Sequence, residues 1–315
     1  MVLISLGSRA PMAPPLRART PFEGKGIGRR SLLAGAAAFG ALGAAGCSIA
    51  PPQGKVEGGD LLKRLQDRGV VRLGIASEPP YGFVNKEGEA TGEAPAIAKY
   101  IFEKLGVPTT TAVPVEFSAL IPGLKAQQFD TVAAGMYINP TRCEQVLFAD
   151  PEYIMLDSFI VPKGNPKGIK SYEDIAKQNL KLSTGEAYAE IGYALGNGVK
   201  ESNLLILPDQ VAGVSAVGSG RVDAFAGTNI TVTRAVEGSS KVEATEAFQP
   251  YVDGDPMYGA GGFAFGLSEK NLRDAFNKEL LKLKKDDFAG LLKLVKPFGF
   301  TRDEMTDLTS KELCS

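Results

Sequence analysis

After residue 60 the chain alternates strand and helix through two successive cycles, and few folds accommodate that order. Val71, Leu73 and Ile75 alternate and run into Pro79-Pro80, the pattern of a strand ending in a loop. Ala94, Ile97, Ala98, Ile101, Phe102 and Leu105 fall at helical spacing, with Gly106 where a C-cap glycine belongs. Strands are predicted over 112–117 and 131–135, a helix over 119–126, and the start of another helix over 142–147; an extended run, 154–162, follows. The cycle then restarts. Ser171 caps a helix over 171–176, with Asp174 three residues later. Strands are predicted at 181–183, 204–207 and 222–226, helices at 187–195 and 210–218, and a further helix from Thr228. A glycine-rich extended run, 259–265, precedes two helices, 271–283 and 288–295.

Such alternation argues for open, mostly parallel sheets. Two sets joined by extended runs near 158–163 and 257–264 predict two lobes that the chain crosses twice, with the C-terminal helices returning to the first. Ligands of such sheets bind at the carboxyl ends of the strands, here the cleft between lobes, and closing that cleft requires a hinge.

The first 46 residues read differently. Six basic residues and one acid lie in 1–30, and 31–46 carries no charge and is mostly Ala, Leu and Gly. A basic stretch before a short apolar run reads as an export signal, too short to span a bilayer as a mature helix. Arg29-Arg30 before Ser31-Leu32-Leu33 resembles a twin-arginine signal. Ala44-Ala45-Gly46 before Cys47 resembles a lipobox with Cys47 as the lipidated residue, although Ala44 stands where Leu is usual; simple cleavage is the alternative. The Pro/Gly-rich stretch that follows reads as a tether. The expected organisation is therefore a signal over 1–46, a tether over 47–60, lobe one over 61–160 plus 262–315, and lobe two over 161–261. The mature chain would carry 29 basic and 35 acidic residues, a net charge of −6. It is expected to be exported, either periplasmic or lipid-anchored on the outer side of the cytoplasmic membrane.

Composition narrows the chemistry. The chain has no His and three Cys, so a Ser-His-Asp triad, a Cys-His pair and a His-ligated zinc site are excluded. A formal net charge of −1 over the whole chain argues against a nucleic-acid footprint. Cys143 and Cys314 form an even pair outside the leader, which in an exported protein suggests a disulfide; two free buried thiols are the other possibility. No cofactor and no metal are expected.

Three stretches resemble the polar-amino-acid class of bacterial ABC-transporter solute-binding proteins, solute-binding family 3. They are Val71-Arg72-Leu73-Gly74-Ile75 with Glu78-Pro79-Pro80-Tyr81-Gly82-Phe83, Leu120-Ile121-Pro122-Gly123-Leu124-Lys125 with Phe129-Asp130, and Gly135 through Arg142. Gly220-Arg221-Val222-Asp223-Ala224 is similar to the last strand of that class's second lobe. Within the class, Gly92-Glu93-Ala94-Pro95, Ala134-Gly135-Met136, Arg142-Cys143, Asn165-Pro166-Lys167-Gly168, Val295-Lys296-Pro297-Phe298-Gly299-Phe300-Thr301 and Glu312-Leu313-Cys314 resemble the ectoine/hydroxyectoine-binding proteins. The resemblance implies an α/β, two-lobe periplasmic binding protein fold (type II). Each lobe would be a mostly parallel sheet flanked by helices, with a two-strand hinge between them.

Ectoine joins a carboxylate to a delocalised cyclic amidinium, so a site for it needs a fork, an acceptor and aromatic faces. Arg142 is the fork, its planar guanidinium matching a carboxylate with two parallel hydrogen bonds. Glu78 resembles the glutamate that accepts the amidinium protons. Tyr81, Phe117 and Tyr137 match the aromatic box, each cation–π contact contributing roughly 0.5–2 kcal/mol. Gly135 and Tyr137 could offer backbone groups. Thr184, Gly185, Glu186 and Thr228 should close the site from the second lobe. Amino-acid binders of the class usually place an Asp where Thr228 stands, to pair with an α-ammonium; its absence argues against a plain α-amino acid, although Glu186 could compensate.

The implied function is capture of ectoine or hydroxyectoine for an ABC importer by a monomer that works with permease subunits. The alternatives are a polar amino acid-binding protein of the same class and a cyclohexadienyl dehydratase-like enzyme, for which Glu78 would be the general acid. The binding reading makes the chain no enzyme.

Overall fold

The computed structural model describes residues 60–315. The export signal, Cys47 and the tether up to residue 59 lie outside the described residues.

Two five-stranded sheets organise the molecule. The first runs in the order Thr109–Pro114, Val70–Ile75, Thr131–Val132, Ala264–Phe265, Leu147–Phe148. Its first three strands are parallel, and Ala264–Phe265 returns antiparallel to both neighbours. The second runs Leu204–Leu207, Leu182–Gly185, Ala224–Thr228, Asp157–Pro162, Val242–Ala244, again with three parallel strands followed by two antiparallel pairings. The run 157–162 lies wholly in this second sheet and therefore begins ahead of the expected boundary at 160. The crossing between sheets is an antiparallel pair, Tyr153–Met155 with Gly259–Gly261, rather than the run 158–163.

Apolar clusters sit on both faces of each sheet. Helix Glu93–Lys104 shows why: Ile97, Ala98, Ile101 and Phe102 share one face and are fully buried, each of the larger side chains contributing roughly 1.5–3 kcal/mol. Helices Lys270–Leu283 and Lys285–Val295 pack on it through Leu272, Phe276, Leu280 and Leu291, so the end of the chain does return to the first sheet. The C-terminal helix Ser310–Leu313 docks where Asp150 Oδ1 accepts from the backbone N–H and the hydroxyl of Ser310. Cys143 and Cys314 are joined by a disulfide, with Cα atoms 5.7 Å apart.

Three predicted elements differ in extent. The second strand stops at Pro114, and Phe117 opens a 3-10 turn, Phe117–Ala119. The helix expected over 142–147 is one turn, Pro140–Cys143, because Leu147–Phe148 joins the sheet edge. The helix expected from 187 begins at Glu190, after Ala187 adopts a left-handed φ of 62°.

Candidate binding site between the lobes

The side chains of the first lobe reach the cleft from the segments that follow its strands. Glu78 follows Val70–Ile75 in a tight loop: its backbone N–H donates to Gly82 O at 3.0 Å, and its carbonyl accepts from Tyr81 N at 2.9 Å. Tyr81 is buried and stacks on Tyr153 at 5.3 Å. Gly135 lies beneath these rings at φ 61°. A Cβ there would come within 2.6 Å of the Tyr81 ring and 2.5 Å of the Tyr153 hydroxyl, so both the conformation and the space require glycine. Arg142 sits on the one-turn helix Pro140–Cys143, fixed by the Asn139 side chain, which accepts from its backbone N–H at 2.9 Å, and by Pro140 at the first position.

Glu78, Tyr81, Phe117, Gly135, Tyr137 and Arg142 line one small interlobe cavity, and Thr228 lines it from the second lobe. Thr228 ends its strand at the N-cap position of the next helix, its hydroxyl turned to that of Thr231 at 2.7 Å rather than to a backbone N–H. Three further second-lobe residues complete the wall and were not foreseen: Tyr188, Ala189 and Glu190.

Other second-lobe expectations need correction. Gly185 is not in the cavity wall. It ends its strand beneath the Tyr188 ring, which a Cβ would meet at 2.6 Å, so its part is to let that ring lie flat on the backbone. The Thr184 hydroxyl is buried within the sheet and donates to Ala226 O at 3.0 Å. Glu186 is exposed and accepts from the Ser118 hydroxyl at 3.4 Å, outside the cavity. The second-lobe acid that faces the cavity is Glu190, which is 2% exposed.

The polar geometry spans both lobes. Arg142 is 8% exposed. Its Nη1 donates to Tyr137 O at 2.6 Å and its Nη2 to Ala187 O at 2.8 Å, while the guanidinium carbon lies 5.3 Å from the Phe117 ring centre. No carboxylate among the described residues approaches it within 4.0 Å in the ion pairs observed. Guanidinium has five donors, so three remain for other acceptors. Tyr188 meets Phe117 edge to face at 5.1 Å and donates its hydroxyl to Glu78 Oε1 at 2.8 Å.

Burial dominates the electrostatics. It pushes the Glu78 carboxyl up to about 7, against the opposing hydrogen bond from Tyr188. Burial, reinforced by Asp157, drives Glu190 well above the carboxylate range, and Asp157 is itself pushed up to about 7. The Arg142 guanidinium is lowered by burial, with Glu190 acting in the opposite sense. A buried cation without a bonded counter-ion is costly unless an anion joins it. The cavity thus offers a carboxylate fork beside carboxyl groups and rings suited to a cation. Among the described residues no group of three or more Cys, Asp or Glu could hold a metal, and no helix is long and apolar enough to cross a membrane.

Comparison with known proteins places the chain. Residues 71–293 match the family of bacterial extracellular solute-binding proteins, family 3. The probable amino-acid ABC transporter periplasmic-binding protein y4tE of Sinorhizobium fredii is 35% identical over 269 residues, 83% of this chain and 88% of the relative. A crystal structure of EhuB in complex with hydroxyectoine is 33% identical with a TM-score of 0.73, covering 81% of this chain and 97% of that one. An ancestral arginine-binding protein bound to arginine is 28% identical with a TM-score of 0.63, covering 74% and 99%. The two sheets, their paired crossing and these matches agree that the protein belongs to the bacterial extracellular solute-binding proteins, family 3, with the two-lobe type II fold, and is the solute-binding component of an ABC transporter.

Proposed function

We propose that the protein captures a compact zwitterion, ectoine or hydroxyectoine, in the interlobe cavity and delivers it to its permease subunits. One observation carries this reading: the buried Arg142 guanidinium, which no carboxylate among the described residues engages, shares a single cavity with Glu78 and the rings of Tyr81, Phe117 and Tyr137. The guanidinium would take the ligand's carboxylate, and Glu78 and the rings its delocalised cation. The likeness to EhuB, solved with hydroxyectoine, supports the same ligand class. So does Thr228, which supplies no charge where the class usually sets the acid for an α-ammonium. Micromolar affinity requires about 8 kcal/mol.

A second reading is a polar amino acid. Glu190, a buried acid of the second lobe in the cavity wall, could serve the α-ammonium in place of an acid at 228, and the likeness to an arginine-bound relative supports it. Calorimetric titration with ectoine, hydroxyectoine, proline, glycine betaine and L-amino acids decides between them. Binding of an amino acid at least tenfold tighter than either ectoine would reject the first reading, and turnover of prephenate or arogenate would reject both. In the cell we assign the protein to the outside of the cytoplasmic membrane, either free in the periplasm or anchored there through a lipid on Cys47.

A further inference from the structure

Tyr188 does more than contribute a wall. The inner cavity has only about 30 Å³ of free space, room for one or two water molecules. Immediately outside lies a second interlobe chamber of about 270 Å³. The two chambers share Glu78, Phe117 and Tyr188, so the Tyr188 ring, seated against Phe117, is part of the partition between them. Glu116, Asp209 and Gln210 line the outer chamber, and among the described residues no Lys or Arg does.

The loop that holds the partition engages both polar groups of the first lobe. The Tyr188 hydroxyl donates to Glu78, where a ligand's N–H would donate. The Ala187 carbonyl accepts from the Arg142 guanidinium, beside the donors left for a ligand's carboxylate. The ring's second hydrogen-bond neighbour is Gln210 Oε1, at 3.3 Å. Ala187, in the left-handed region, makes the turn that aims the ring inward.

We propose that Tyr188 is the specificity-determining residue for ligand length. It is a swinging partition that a compact ligand displaces from Glu78 by donor exchange, and that bars longer zwitterions from extending a cationic arm into the outer chamber. Removing the ring joins the chambers, and Glu116 and Asp209 then face the arm. The inference rests on the zwitterion reading of the inner cavity for the seats of the carboxylate and the cation.

The test uses the mature protein, with ectoine as the compact probe and L-arginine as the long cationic one, each followed by calorimetry. Tyr188→Ala should bind arginine at least tenfold more tightly than the wild type does. Tyr188→Phe, which keeps the ring, should stay within threefold of the wild type for arginine. Asp209→Asn, which preserves the helix cap, should remove at least threefold of the gain in the Tyr188→Ala background. Tyr188→Leu, shorter than the ring but still apolar against Phe117, makes the same comparison should the alanine variant not fold. Tight arginine binding by the wild type, or no gain in a folded Ala or Leu variant, overturns the proposal. Failure of the wild type to bind ectoine while the variants gain arginine would reject the ectoine reading and leave the partition standing.

Discussion

Replacing Arg142 by Ala is the most informative perturbation of the site. The side chain is almost fully buried, and its two contacts to protein, Tyr137 O and Ala187 O, use two of its five donors. The other three are available to a ligand carboxylate. Truncating one partner of a buried, hydrogen-bonded charge pair costs about 2–5 kcal/mol, or about thirty- to several-thousand-fold in Kd. Because Ala187 belongs to the second lobe, the variant also loses a contact that closes the cleft, and the two effects must be separated. Titrating wild type and Arg142→Ala with ectoine and with its carboxamide closes a double-mutant cycle. Loss of carboxylate recognition predicts a penalty at least tenfold larger for ectoine than for the carboxamide. Arg142→Lys, a charge without the fork, should fall between wild type and Ala. Equal penalties for both ligands would show that Arg142 serves closure alone, and ectoine affinity within threefold of wild type in Arg142→Ala would refute the fork.

Four further outcomes are expected. Phe117→Ala should weaken ectoine binding by about two- to thirtyfold, matching a cation–π contact of about 0.5–2 kcal/mol, whereas Phe117→Tyr should bind within threefold of wild type; calorimetry reads both. Thermal stability should decline from pH 5 to pH 9. Burial holds the Glu78 and Asp157 carboxyls up to about 7 and Glu152 up to about 8, while the unfolded chain releases these protons near pH ~4. Through that window the folded state binds more protons, so raising the pH favours unfolding; a melting temperature that rises over that range would contradict the burial of these acids. Replacing both Cys143 and Cys314 by Ser removes a crosslink spanning 171 residues and should lower unfolding stability in urea by about 2–5 kcal/mol, so an unchanged midpoint would count against the bond. Cys47→Ser should move the protein from the membrane to the soluble fraction, and unchanged membrane association would refute the anchor.

Much of the first lobe was legible because its signals are local. The alternation of Val71, Leu73 and Ile75 and the helical spacing from Ala94 to Phe102 each report which face is buried. Arg142, Glu78 and Tyr81 could be placed because they follow strand ends of a recognisable class. The second lobe was less legible. The ring of Tyr188 and the carboxyl of Glu190 face the cavity only because 187–189 form a turn and delay the helix to Glu190. Nothing in the apolar spacing of 187–195 distinguishes that turn from a first helical turn. The same delay left Gly185 under the ring instead of in the cavity wall. Phe117 reached the cavity from a 3-10 turn rather than from a strand end, because the sheet pairing stops at Pro114.

The tie between residues 143 and 314 reaches beyond stability. Helix Pro140–Cys143 is a single turn, far below the length at which a helix holds itself, and it carries the guanidinium on the residue next to the crosslink. Its orientation therefore depends in part on a residue 171 positions further along the chain. A copy cut ahead of Cys314 would keep both sheets and their cores, yet lose the covalent brace on the turn that bears Arg142, so damage far along the sequence would register as a slack grip in the cleft.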